Sequence, residues 1–304
     1  MERPLIDARF HDTYRMAGFV RGVLQSPFGE YLHFVSDFFV DDGWTETFAA
    51  PYPEVTSLHH FVDYAVRRVY YAENVEGIDL ESRKRAWSNY GRFAEASGSM
   101  RPHMLPVEEA FEAYEIEEDS FVGLLREQGR PFGEATEDDL SDHYRELTLG
   151  QPFDDLVRRV TDEVFHVLFS DRATLVLFGL LVARRVVSEA DPQDLGAEGA
   201  RHFEAPGRLR RVRPPRWVQR AVFFRDRGRC VLCRRDLFGL VTFGTENTEN
   251  YDHVVPLAKG GQNDLTNVQL LCAGCNLEKG DRTVTTSSTY DSWAPTATPT
   301  SLEL

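Results

Sequence analysis

The chain has 304 residues, 42% hydrophobic and 12% aromatic, enough for one large or two ordinary domains with real cores. Its formal net charge of −15 argues against a surface that attracts nucleic acid throughout. The charge is divided unevenly. Residues 1–200 carry 19 Lys+Arg against 38 Asp+Glu, residues 201–282 carry 15 against 9, and residues 283–304 carry none against 2. An acidic piece is followed by a basic one, and the two are expected to do different work.

The opening stretch MERPLIDARFHD mixes charges and has no apolar core region, so no secretory leader is expected. Helical spacing then recurs. In 57–75, Phe61, Tyr64, Ala65, Val69 and Tyr70 fall three and four residues apart. Residues 81–96 fit a more exposed helix. Residues 106–129 read as one helix, opened by Pro106 and closed by Gly129, with the acidic run EIEEDS as its solvated face. In 153–169, Leu156, Val157, Val160, Val164 and Phe165 keep the same period. Gly and Pro at 26–29, 50–53, 99–106 and 129–133 mark the loops between helices. The longest apolar run, Ala173 to Ala183, is too short for a membrane span of ~20 residues. Asp171, Arg172, Arg184 and Arg185 bracket it, so it reads as a buried core helix. A cytoplasmic chain without a membrane partner is expected. Residues 1–200 form an acidic, mainly α domain, regulatory or partner-binding. Its histidines (His11, His33, His59, His60, His103, His143 and His166) show no metal-binding spacing and read as surface or core residues.

Near residue 200 the composition changes. A linker is expected over 188–213. Pro215 then opens a helix carrying Trp217, Val218, Ala221, Val222 and Phe224. Nine arginines lie between Arg208 and Arg229. Ordinary solvation of a linker would explain them. Phosphate contact is the better reading given the motif that follows over 229–279, with Arg216, Arg220 and Arg225 as contacts. The chain's four cysteines make two C-x2-C pairs, Cys230 with Cys233 and Cys272 with Cys275. Four thiolates at that spacing suit one tetrahedral, structural Zn2+ with no open coordination position. Two disulfides are the disfavoured alternative. Residues 283–304 are rich in Thr, Ser and Pro and read as a flexible tail in which Trp293 has no evident dock.

Between the two cysteine pairs, YDHVV and NVQLL read as short strands, PLAKGGQNDLT as the loop joining them around Gly260-Gly261, and CAGCNLEKGD as a knuckle leading into a helix. With a preceding helix, RCVLC, DHVVPLAKGG, NDLTNVQLLC and CNLEK in this order, residues 218–282 resemble the HNH endonuclease family. Residues 1–200 resemble no family. The resemblance implies a C-terminal, zinc-stapled ββα-metal nuclease domain over 201–282 and phosphodiester hydrolysis that leaves 5′-phosphate and 3′-hydroxyl ends. It implies His253 as general base, Asn267 as holder of the loop that aims it, and Asp252 and Asn276 as ligands of a catalytic Mg2+ or Mn2+. Asn276 stands where many members have a last histidine, which puts zinc or nickel as the catalytic metal in doubt. Lys259, Lys279 and Arg282 are expected at flanking phosphates, with ordinary surface charge as the alternative for Lys259. Double-stranded DNA is the expected substrate, and anti-phage or mobile-element conflict the setting by analogy of architecture. Two other classes stay open: a zinc-knuckle module that binds nucleic acid without cutting it, and a protein whose helical domain recruits a partner or ligand.

Overall fold

The computed structural model describes residues 6–40, 48–97, 105–238 and 250–290, with no side chains described for 91–97. His103, Trp293 and residues 99–104 of the loop expected over 99–106 lie outside these. The chain forms two compact units, residues 1–41 with 57–168 and residues 42–56 with 169–304. The second unit therefore takes in the apolar helix that composition alone groups with the acidic part.

In the first unit, α1 (Thr13–Gln25), α2 (Leu32–Phe38), α3 (Ser57–Tyr71), α4 (Leu80–Ser97), α5 (Pro106–Ala113), α6 (Phe121–Glu127), α7 (Glu137–Thr148) and α8 (Gln151–Phe169) follow one another. Apolar stripes at helical spacing supply the core, including Met16, Val20, Phe61, Val62, Leu156, Val160 and Val164. The single helix expected over 106–129 is two helices. It breaks after Tyr114, where Glu115 takes a φ of 54°. Glu115, Glu118 and Asp119 would repel one another along a helix face. Instead the acidic run is a loop, and Ser120 restarts the helix by accepting from Gly123 N at 3.0 Å. Buried Glu163 accepts from Arg9 N, Phe10 N, the Thr13 hydroxyl and the Tyr114 hydroxyl, which ties the start of the chain to α8.

The second unit contains α9 (Arg172–Glu189), α10 (Ala197–Ala200), β1 (Phe203–Ala205), β2 (Arg208–Leu209), α11 (Arg216–Arg225), β3 (Asn250–His253), β4 (Val268–Leu271) and α12 (Ala273–Lys279). The expected linker over 188–213 is structured. Phe203 and Leu209 are buried in the β1–β2 hairpin, and Gly207 N donates to Ala190 O at 2.8 Å. β3 and β4 pair antiparallel, with Asp252 opposite Gln269 and His253 opposite Val268.

Helix α9 buries Leu175, Phe178, Leu181, Val182 and Val186 and backs the β3–β4 loop. Gly260 there has a φ of 81°, and a Cβ on it would lie 2.5 Å from Ala183 O. A Cβ on Gly261 would lie 1.9 Å from Val255 O. Both positions exclude a side chain, the first also by its backbone conformation. The expected flexible tail is anchored over its described part, 283–290. Arg172, 4% exposed, donates from Nε to Ser287 O and from Nη2 to Thr289 O, and its guanidinium lies over the Tyr290 ring. These contacts satisfy a buried cation whose ion-pair partner among the described residues is Asp226 at 3.5 Å.

Candidate active site and metal centre

Strand β3 ends in Asp252 and His253, both buried. The imidazole Nε2 of His253 lies 3.3 Å from Asn263 Oδ1 and 3.5 Å from the Tyr52 hydroxyl. Two backbone groups set the orientation of the Asn263 amide. Val212 N–H donates to Oδ1 at 3.3 Å, and Nδ2 donates to Arg210 O at 2.9 Å. The oxygen therefore faces His253, and Nε2 must carry the proton. The Tyr52 hydroxyl donates to Val212 O at 3.2 Å, and burial pushes its pKa up, so it stays protonated. Nδ1 is left as the basic nitrogen of His253.

Burial first, and then the Arg211 charge, lower the pKa of His253 to about 4, against opposing effects of Asp252 and Asn263. The imidazole is neutral at physiological pH, the state a base requires. Asn267 closes the loop behind it. Its Oδ1 accepts from Val255 N at 2.8 Å, and its Nδ2 donates to Val255 O at 3.0 Å and Gln262 O at 2.9 Å. Gln262 in turn donates to Phe48 O at 2.8 Å.

A cleft of about 350 Å3 opens on this site. Asp252, His253 and Asn276 reach it from β3 and α12, and Arg208 and Arg211 from the β2 side. Asp252 Oδ2 is buried and accepts no hydrogen bond of good geometry. Its charged neighbour is Lys279, whose Nζ lies 2.9 Å away and donates to His253 O at 2.7 Å. Lys279, expected at a flanking phosphate, is thus an internal residue with a side chain 1% exposed. Arg225 also departs from expectation. Its side chain, 3% exposed, pairs with Asp226 and donates to Val268 O at 2.6 Å. Asp226 Oδ2 accepts from Leu270 N at 3.0 Å, so this pair fastens α11 to β4. Both cations are drawn inward because a buried carboxylate needs a partner. Arg216, Arg220, Lys259 and Arg282 are exposed.

Sequence reasoning singled out neither Arg208 nor Arg211 as a cleft residue, though both belong to the arginine run read as contacting phosphate, and it missed Tyr52 and Asn263 beside the His253 ring. Of Tyr52 and Asn263, only Asn263 left a signal: Gln262, Asn263 and Asp264 are successive polar residues inside an otherwise motif-bearing loop, and all three are buried.

The sulfurs of Cys230, Cys233, Cys272 and Cys275 all lie within 4.8 Å of one another, and Cys233 Sγ is 3.7 Å from Cys272 Sγ. Four zinc–sulfur bonds of ~2.3 Å in a tetrahedron place sulfurs about 3.8 Å apart, so the cluster fits structural zinc. The electrostatics agree. Burial works against the Cys230 thiolate, but the backbone N–H groups of Cys233, Cys272 and Leu232 outweigh it and hold the pKa at about 7. Burial and the neighbouring sulfurs push Cys275 up. Four crowded thiolates need a cation to coexist.

The HNH endonuclease family model matches residues 230–289. This segment carries the HNH signature. The HNH segment holds all four cysteines, Asp252, His253, Asn267 and Asn276, but neither Tyr52 nor α9. No curated protein and no solved structure matches the chain. Among the described residues no single helix is long and apolar enough to cross a membrane.

Proposed function

We propose that the second unit is a metal-dependent endonuclease that hydrolyses phosphodiester bonds in DNA, with β3, β4 and α12 acting as a ββα-metal site. One observation carries this reading: Asp252, a neutral His253 and Asn276 meet in a single cleft of the unit that holds the four-cysteine cluster. His253 acts as general base, taking a proton from water at Nδ1 while Asn263 holds Nε2–H. Asp252 and Asn276 offer a carboxylate and an amide oxygen, a hard donor set that suits Mg2+ or Mn2+. The buried Asp252 Oδ2 accepts no well-aligned hydrogen bond, and such a group would share it with the Lys279 ammonium 2.9 Å away. When bound, it would supply charge neutralisation at the scissile phosphate and the leaving oxygen. Arg208 and Arg211 face the same cleft and pair with substrate phosphate. The cytoplasmic setting and a role in anti-phage or mobile-element conflict belong to this proposal through architecture alone. So does a restraining or partner-recruiting role for the acidic helical unit.

The deciding experiment incubates the full chain with supercoiled DNA, linear DNA, single strands and RNA, with Mg2+, with Mn2+ and with neither. Metal-dependent cutting that His253→Ala abolishes supports the reading, and cutting at the wild-type rate by that variant sinks it. A second reading, binding without cutting, is favoured by Lys279, whose ammonium already neutralises Asp252. It predicts unchanged nucleic acid under every metal condition.

A further inference from the structure

Helix α11 divides its surface sharply. Val218 and Val222 are buried, and the Arg225 side chain is drawn into the Asp226 pair. The opposite face presents Arg216, Trp217, Arg220 and Phe224. At 3.6 residues per turn these four fall within about 100° of arc. Phe224 is 71% exposed and Trp217 36% exposed. Phe238, 57% exposed, extends the aromatic surface through Phe223, whose ring lies 5.8 Å from that of Phe238 and 6.1 Å from that of Phe224. Neither Arg216 nor Arg220 has an ion-pair partner among the described residues.

An exposed helix face normally carries Lys and Glu, whose charges stay in water. Here large rings alternate with guanidiniums and no carboxylate intervenes. Rings offered to solvent beside arginines suit bases that expose their π-faces, with the arginines on the phosphates between them. Bases stacked inside a duplex do not offer those faces. We infer that the Arg216–Trp217–Arg220–Phe224 face of α11 is a binding site for single-stranded nucleic acid, whose bases stack on Phe224 and Trp217. This deepens the nuclease reading and rests on it for the destination of the strand, since α11 belongs to the same unit as the His253 cleft. The charge of the site complements the ligand.

The test measures fluorescence anisotropy of the full, zinc-loaded chain with labelled oligothymidylate, oligouridylate and a duplex of equal length, in buffer without added divalent metal. The single strands are expected to bind more tightly than the duplex. Phe224→Ala should weaken single-strand binding roughly tenfold, and Phe224→Leu nearly as much, because leucine keeps the apolar bulk and loses the ring. Arg216→Gln and Arg220→Gln should each reduce the salt slope of single-strand binding by about 0.7. Zinc content and circular dichroism confirm that each variant is folded, and the highly exposed position 224 tolerates both changes. Equal affinity for duplex, or single-strand affinity untouched by both Phe224 variants, overturns the inference. So does a dimer in sedimentation that Phe224→Ala dissolves, which would give the rings to a second copy of the chain. Parallel cleavage with Mg2+ and Mn2+ separates the two readings. Ring-dependent binding without any cutting removes the nuclease, and cutting with ring-independent binding removes this site.

Discussion

His253 Nε2 faces Asn263 Oδ1 at 3.3 Å, and the Asn263 amide cannot flip without breaking its bonds to Val212 N and Arg210 O. The tautomer of His253 is therefore chosen by backbone groups at 210 and 212, which lie outside the HNH segment. Replacing Asn263 should loosen the imidazole without removing it. Asn263→Leu is expected to lower kcat about 10- to 100-fold with little change in KM, less than the roughly 10²–10⁴ typical of losing a general base outright. Single-turnover kinetics on a fixed substrate checks this against His253→Ala, and equal losses in the two variants would contradict a positioning role.

The pH profile carries a second prediction. As the proposed general base, His253 must be neutral, so activity is expected to fall as pH drops through its pKa, near 4 and well below the usual 6.5. Arg211 contributes to that depression, after burial. Arg211→Gln removes a charge that disfavours the imidazolium, so the acid limb of kcat should move to higher pH. An unmoved limb would mean that a different group sets it.

Metal removal is the third. Cys230 and Cys272 are buried, and the four sulfurs join the turn after α11 to the start of α12. Elemental analysis should find about one zinc per chain. Cys272→Ser should lose it and expose residues 216–282 to protease, because binding of a structural zinc is itself folding energy. Titration of the denatured, chelated and unreduced chain should find all four thiols free.

Truncation tests the extent of the second unit. A fragment of residues 201–304 lacks α9, whose Ala183 carbonyl crowds Gly260, and lacks Arg172, which anchors Ser287 and Thr289. It should melt less cooperatively and be cleaved faster by protease than a fragment of residues 169–304. Equal melting of the two would show that α9 adds nothing to the HNH segment.

In the first unit, His59 stacks on Phe165 with ring centroids 3.6 Å apart, and burial lowers its pKa to about 4, with His60 adding to the effect. Between pH 4 and 6.5 the unfolded chain binds a proton that the folded chain refuses. Stability should therefore be full above the unfolded pKa and decline as pH falls toward the folded one, by up to about 3 kcal/mol from this group. Urea titrations across that window should show the slope, and His59→Phe should flatten it.

The parts of this protein readable in one dimension are those whose chemistry is local. Two C-x2-C pairs can converge on an ion whatever the rest of the chain does, and Asp252 and His253 are neighbours by covalent bond. The helical spacing around Phe61 or Val160 needs only the period of a single helix. Burial is different, because distant neighbours settle it. Lys279 and Arg225 look like phosphate contacts in the sequence, yet both are drawn inside. Lys279 pairs with Asp252 and donates to His253 O, 26 residues back along the chain. Arg225 pairs with adjacent Asp226 and reaches Val268 O, 43 residues on. The run EIEEDS has helical neighbours on both sides and still breaks, since Ser120 caps a new helix and Glu115 turns through a left-handed backbone. Tyr52 and Asn263 gain their meaning only when Tyr52, Val212 and His253 are packed together from three separate stretches. Folding alone brings such groups within hydrogen-bond reach, and no spacing along the chain records it.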